Sequence, residues 1–163
     1  SENGFMPWGA HVPGVGIVTT LVSSRNCRRK DPFMNPEPVD RDLAVERHDV
    51  FDVLQVTRDT ALAREVGGDL VDVEPRQESS MHRHNHAETV LYFTAGSAEV
   101  LLGIEREVYP VVAGDRLQIG KGVFHAVRTL ALPVSFVSVQ TPPILDVVAG
   151  TRDLEPIDAV NRG

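Results

Sequence analysis

Short apolar runs separated by turn signals dominate the chain between residues 46 and 145. Glycine-containing stretches such as Gly67-Gly68, Ala95-Gly96 and Gly120-Lys121-Gly122 fall between these runs. The pattern predicts short strands joined by tight turns. So many short strands at this spacing indicate an all-β protein, an antiparallel sandwich or barrel. The predicted strands are Phe51–Thr57, Asp69–Glu74, Thr89–Phe93, Ala98–Leu102, Arg106–Tyr109, Arg116–Ile119, Phe124–Thr129 and Val134–Gln140.

The two ends of the chain differ from this middle zone. Residues 1–45 are rich in Gly and Pro and contain one β-like run, Val15–Val22. We expect them to form an N-terminal arm that lies over the main body or over a neighbouring subunit. Residues 46–145 then form the barrel domain, and residues 146–163 form a short C-terminal tail.

Composition narrows the class of protein. A chain of 163 residues is most simply one domain with a core of its own. The net charge of −7 argues against a main role in binding nucleic acid. No apolar run approaches the roughly 20 residues of a membrane helix. Cys27 is the only cysteine, which excludes an intrachain disulfide and favours a reducing compartment. We therefore expect a cytoplasmic protein with neither a nucleic-acid nor a membrane partner.

Three histidines and one acidic residue lie close together in one short segment. His82, His84, His86 and Glu88 occur within seven residues, and His125 follows in a later predicted strand. Alternate side chains of a strand share one face, so His82 and His84 are expected to point at one ion. Imidazole nitrogens and carboxylates are ligands that suit first-row divalent metals. The pattern predicts a metal site.

These residues resemble the two motifs of a single-domain cupin. The first motif is matched by His82-Arg83-His84, Glu88 and Gly96, and the second by the stretch from Gly114 to His125, in which Gly120 replaces the usual proline. The resemblance covers about Val71 to Val139 and implies an antiparallel jelly-roll barrel. It also implies a homodimer, in which Val15–Val22 would add an edge strand or pack across the interface. The implied metal ligands are His82, His84, Glu88 and His125, holding one divalent metal per chain.

The position of the acid departs from the cupin pattern. The usual spacing to the closing glycine would place the acid at Thr89, and Glu88 lies one residue earlier. A β-bulge that re-aims Glu88 would bring it to the metal. Alternatively the site has three histidines, and Glu88 stays off the metal. His86 is expected at the solvent side or the pocket rim.

The resemblance leaves the reaction open, because one fold hosts many chemistries. We favour an Fe(II) dioxygenase acting on a small polar metabolite, with manganese, nickel or zinc as other metals. One alternative is a redox-neutral isomerase, lyase or cyclase in which the metal acts as a Lewis acid. Another is a binding module that holds a small ligand without turnover.

Overall fold

A computed structural model of the protein describes residues 43–146 and 150–157. Residues 1–42 of the predicted N-terminal arm, with its run Val15–Val22, lie outside these residues, and the homodimer stays a prediction. The strands, numbered along the described residues, are β1 Val45–His48, β2 Phe51–Gln55, β3 Gly67–Val73, β4 His82–Arg83, β5 Glu88–Leu102, β6 Glu107–Val112, β7 Arg116–Ile119, β8 His125–Thr141, β9 Leu145–Asp146, β10 Thr151–Arg152 and β11 Glu155–Pro156.

Nine of these strands form one antiparallel sheet that curls into a cupin β-barrel. Along one path the order is β1-β2-β3-β8-β4-β11, and β5 pairs with β6, β7 and β8. Strands β9 and β10 form a separate two-stranded ribbon. The prediction of an all-β antiparallel jelly-roll barrel is confirmed. Between β2 and β3 a single 3-10 turn, Ala61–Arg64, follows Thr60.

Two strands, β5 and β8, are longer than the sequence predicted, and each covers a stretch that was predicted as two strands. Strand β5 runs through Ala95-Gly96 without a turn, because bulges on either side of this pair absorb the irregularity. Gly96 has a φ of +76°, and a Cβ there would lie 2.0 Å from the carbonyl oxygen of Pro133 on β8. Glycine therefore serves here as a bend in a continuous strand and not as a turn between two strands. The prediction that Ala95-Gly96 separates two strands is wrong.

The core lies inside the barrel. Alternate residues of the long strands point inward, as the two-residue period of a strand requires. Phe93 and Val100 on β5 and Val134 on β8 are almost completely buried. A second, smaller cluster surrounds Leu101 and Phe124 at the end of the barrel where β4 and β11 pair. Within the described ranges the structure contains no helix of membrane-spanning length.

Candidate metal centre and cavity

Three of the predicted ligands meet inside the barrel. His82 lies on β4, His84 follows this strand, and His125 begins β8, where it pairs in register with His82. All three are buried, and one ring nitrogen or more of each lies within 4.8 Å of the others. Their ring centroids are 4.5 to 5.2 Å apart. Strand pairing thus brings together residues separated by some forty positions in the chain.

The hydrogen bonds of the three rings fix which nitrogen is free. The Nδ1 atom of His82 lies 2.8 Å from the carbonyl oxygen of Ser80, and the Nδ1 of His125 lies 2.9 Å from that of Val123. His84 makes the same kind of bond, from its Nδ1 to the carbonyl oxygen of Asp153. A carbonyl oxygen only accepts, so each Nδ1 carries the hydrogen. The Nε2 lone pairs are therefore left for a metal, as in metal sites whose ligands are oriented by outer hydrogen bonds.

Burial keeps these rings neutral. It lowers the pKa of His82 and His84, against the opposing effect of the backbone carbonyl that each ring contacts. Burial, together with the nearby His82, lowers the pKa of His125 to about 3. A neutral imidazole is the form that binds metal, so the three side chains are ready to bind at neutral pH.

The C-terminal segment, which comprises the described residues after β8, holds the histidine loop (residues 84–87) in place. The carbonyl oxygen of Asp153 accepts the Nδ1–H of His84 at 2.5 Å. The carboxylate of Asp153 accepts the backbone N–H groups of Asn85, His86 and Ala87 at 2.8 to 2.9 Å. These bonds lower the pKa of Asp153 against the opposing effect of its partial burial.

A second contact reinforces this arrangement. Strand β11 pairs with β4, and Glu155 on β11 accepts hydrogen bonds from the Arg83 guanidinium and from the Asn85 side chain. The described part of the predicted tail is therefore a structural support of the metal centre. This role could not be predicted from the sequence, because nothing near His84 marks a partner that lies 69 residues further along the chain.

The structure does not bring Glu88 into the histidine group. Thr89 lines the cavity, and successive side chains of a strand point to opposite faces, so Glu88 points away from it. Its Oε2 atom lies 3.8 Å from the position that a Cβ of Gly120, the residue after β7, would take. Glu88 as a ligand stays a prediction. His86 is exposed, as expected for a residue at the solvent side.

A cavity of about 130 Å³ adjoins the three histidines. One water needs about 10–15 Å³ by the same measure, so the cavity holds a small organic molecule as well as an ion. Its apolar walls come from the inner faces of β2, β3, β5 and β8 and from the C-terminal segment. The residues that supply them are Phe51, Val53, Val71, Leu91, Val127, Phe136, Ile144, Leu145 and Leu154.

Polar side chains line another part of the same cavity. Asp69, Thr89, Ser138 and Gln140 all line it, and so do His48 and Arg152. Burial raises the pKa of Asp69, although a hydrogen bond from Gln140 and the nearby His48 oppose the shift.

Asp69, Ser138 and Gln140 were not predicted as site residues. The sequence does mark them as polar residues on otherwise apolar strand faces. Asp69 shares its strand face with Val71 and Val73, and Ser138 and Gln140 share theirs with Val134 and Phe136. Polar residues at positions where the strand period predicts core residues would have marked each of the three as a candidate, although not as members of one site.

Several solved structures share this fold. A cupin 2 conserved barrel domain protein from Salinispora arenicola superposes with a TM-score of 0.54 at 20% identity, covering 66% of this chain and 88% of its own. A sugar phosphate isomerase of the cupin superfamily from Silicibacter pomeroyi gives 0.53 at 20% identity, with 66% and 77% covered. Oxalate decarboxylase from Lactobacillus farciminis, in complex with formate, gives 0.59 at 20% identity, with 72% and 34% covered.

These likenesses establish a cupin fold, as the two sequence motifs predicted. The chain spans about a third of the length of the oxalate decarboxylase structure. No protein-family model matches the chain, and no curated protein matches it in sequence.

Proposed function

We propose that this protein is a metal-dependent enzyme that acts on a small polar molecule bound in the cavity. One observation carries the proposal: three buried, neutral imidazoles donate their Nδ1–H groups to carbonyl oxygens and leave their Nε2 atoms close together beside the cavity. Imidazole nitrogen suits iron, nickel, zinc and copper, and one group of ligands implies one ion per chain. Fe(II) is the ion we propose first, with manganese, nickel and zinc as alternatives.

We further propose that the ligand set is His82, His84 and His125 alone. The position that the cupin spacing assigns to the acid is taken by Thr89, which faces the cavity. Glu88 faces Gly120 instead. Three neutral ligands leave the charge of a divalent ion uncompensated, and this favours a substrate that brings its own oxygen anion.

Two reactions fit such a site. When bound, the ion supplies open coordination positions for a substrate and dioxygen if it is Fe(II), or a Lewis acid that polarises a carbonyl. The dioxygenase proposal rests on the first property and on the histidine-rich ligand set. In both cases the apolar walls of the cavity would reduce the amount of water around the bound molecule.

A redox-neutral isomerase, lyase or cyclase is the second candidate, and Asp69 favours it. Its carboxyl group faces the same cavity as the three histidines, and burial raises its pKa toward the range in which a carboxylate accepts and returns protons. A positioned acid–base group is what proton transfer next to a polarised carbonyl requires. A dioxygenase has no such requirement.

Anaerobic reconstitution separates the two candidates. Metal-free protein is loaded in turn with Fe(II), Mn(II), Ni(II) and Zn(II), and each form is screened against small acids, hydroxy acids and diketones with an oxygen electrode. Oxygen consumption that depends on Fe(II) and on substrate supports the dioxygenase. Turnover with redox-inert Zn(II), without oxygen consumption, supports the redox-neutral reaction. Failure of all four metals to bind would contradict the proposal as a whole.

A further inference from the structure

The polar part of the cavity is a small grid built on three neighbouring strands. Strand β8 lies between β3 and β5, and it pairs Ser138 with Asp69 on one side and Gln140 with Thr89 on the other. Ser138 and Gln140 are two residues apart and therefore point to the same, inner face. The four side chains line the cavity that the three histidines also line.

Gln140 links two of the other three side chains through its amide nitrogen. Its Nε2 donates to Asp69 Oδ2 at 3.0 Å and also to Ser138 Oγ. Its Oε1 lies against Gly67, where a Cβ would approach to 2.1 Å. A larger residue at Gly67 would displace this amide. Gln140 is therefore a positioning residue that fixes Asp69 and Ser138.

The other three residues keep hydrogen-bonding capacity that no described residue uses. Asp69 Oδ1 has no donor, and the Ser138 hydroxyl accepts from Gln140 but donates no bond within the described ranges. Thr89 is 2% exposed, and its Oγ1 is the one buried side-chain polar atom in the described residues without a hydrogen-bond partner. Buried hydroxyls without a partner are rare in folded proteins, since each costs free energy. A ligand that enters the cavity would satisfy it.

We propose that Asp69, Ser138 and Thr89 form a hydroxyl-binding subsite. The substrate is then a small hydroxylated metabolite that reaches from this subsite to the metal centre. The inference rests on the proposed metal-dependent function, because it places the rest of the molecule at the three histidines.

The free groups match an alcohol better than other small functional groups. An alcohol both donates and accepts one hydrogen bond, so it donates to the carboxylate of Asp69 and accepts from Ser138 or Thr89. A second carboxylate at this position would be repelled by Asp69. An ammonium group has three donors and would leave the hydroxyl hydrogens of Ser138 and Thr89 without acceptors.

Matched pairs of compounds that differ by one hydroxyl group test the subsite. The full chain is loaded with metal and titrated by calorimetry with β-hydroxypropionate and propionate, β-hydroxybutyrate and butyrate, and ribose and deoxyribose. In the wild-type protein the hydroxylated member of at least one pair is expected to bind roughly tenfold more tightly, or better, as a hydrogen bond to a charged group implies. Thr89→Val and Asp69→Asn are each expected to remove most of this preference.

Two variants on the outer faces of the same strands serve as controls. Thr94→Val on β5 and Asp72→Asn on β3 repeat the two chemical changes at exposed positions, and we expect both to keep the preference. The metal content of every sample is measured, and the titrations are repeated on metal-free protein. Loss of metal binding would count against the proposed function. No preference in any pair, or an undiminished preference in Thr89→Val and Asp69→Asn with metal bound, would overturn the hydroxyl subsite.

Discussion

Two groups of polar side chains line the cavity, and their hydrogen bonding differs. The histidine end is formed by His82, His84 and His125, and the polar end by Asp69, Thr89, Ser138 and Gln140. At the histidine end, each of the three rings has its Nδ1 bonded to a carbonyl oxygen, and only the Nε2 atoms are left. At the polar end, the buried hydroxyl of Thr89 has no partner among the described residues, and one oxygen of Asp69 has no donor among them. Both sets of side chains line the same cavity.

This difference separates two kinds of binding site. The histidine end is arranged for one fixed occupant, because every group except the metal-binding nitrogens is already satisfied. The polar end has hydrogen-bonding capacity that no residue in the described part of the chain uses, and we propose that a ligand uses it. We therefore expect substitutions at the histidine end to abolish binding of the ion, and substitutions at the polar end to change ligand preference while leaving the fold intact.

The largest effect is expected from removing a histidine ligand. Changing His82, His84 or His125 to Ala leaves two imidazoles, and we expect each variant to lose tight binding of the ion. His86→Ala is the matched control, since His86 lies in the same loop but is exposed, and it should keep about one metal per chain, as a single site implies. Elemental analysis of the purified proteins gives the metal content.

The same measurement tests the fourth predicted ligand. Glu88→Gln should retain the metal content of the wild-type protein if the ligand set is three histidines. A loss as large as that of His125→Ala would show that Glu88 binds the ion. Full metal content in a His82→Ala, His125→Ala double variant would contradict the site altogether.

A smaller effect is expected from the support of the histidine loop. Asp153→Ala removes the acceptor of three backbone N–H groups next to His84, and we expect the metal affinity to fall roughly 10- to 100-fold. Asp153→Asn keeps one acceptor oxygen and should lose less. Competition with a chelator measures the affinity, and the absorption spectrum of the Co(II)-loaded protein reports the ligand geometry.

The exposed Glu105 provides a control for the loss of charge in this experiment, and Glu105→Ala should leave both readouts unchanged. An Asp153→Ala protein with wild-type affinity and an unchanged Co(II) spectrum would show that the loop holds its ligands without the C-terminal segment.

The sequence predicted the ligands of the site better than it predicted their support. The spacing of His82 and His84 is local, and a strand period places them on one side, so the metal site could be predicted from a few residues. Asp153 could not be predicted, because its bond to His84 spans 69 positions and depends on where the barrel brings the tail. Ala95-Gly96 was mistaken for a turn, since glycine marks turns and bulges alike.

The polar end of the cavity was not predicted from the sequence, for a related reason. Asp69, Ser138 and Gln140 occupy inward positions of strands whose other inward residues are apolar. Their meaning depends on which strands are neighbours, and the order β3-β8-β5 is a property of the fold and not of any local pattern. The fold class was predictable, and the partners of each strand were not.

Asp69→Asn tests whether the buried charge of Asp69 lowers the stability of the fold. Burial raises the pKa of Asp69 above 3.8, so the folded state binds its proton more readily than the unfolded state. The stability of the wild-type protein therefore falls as pH rises through the interval between the unfolded and folded pKa values, and it stays lower above it.

The neutral amide avoids this loss and still accepts the bond from Gln140. We expect metal-free Asp69→Asn to be more stable than the wild type in chemical denaturation at pH 7, and the advantage to vanish below about pH 4. Asp72→Asn, at an exposed position of the same strand, should show no such pattern. A variant that is less stable than the wild type at neutral pH would mean that the Asp69 charge stabilises the fold.

The smallest effect concerns the single hydroxyl of Thr89. Valine has nearly the same shape as threonine, and the Oγ1 that it replaces is buried without a partner. An unsatisfied buried polar group costs about 1–3 kcal/mol, so Thr89→Val should raise the free energy of unfolding by about 1 kcal/mol. Thr94→Val, at an exposed position of the same strand, removes a hydroxyl that donates to the carbonyl oxygen of Ser135, so it should not raise the free energy of unfolding. Urea denaturation of the metal-free proteins measures both. A clear loss of stability in Thr89→Val would mean that this hydroxyl is already satisfied, by bound water for example, and it would remove the main contrast between the two ends of the cavity.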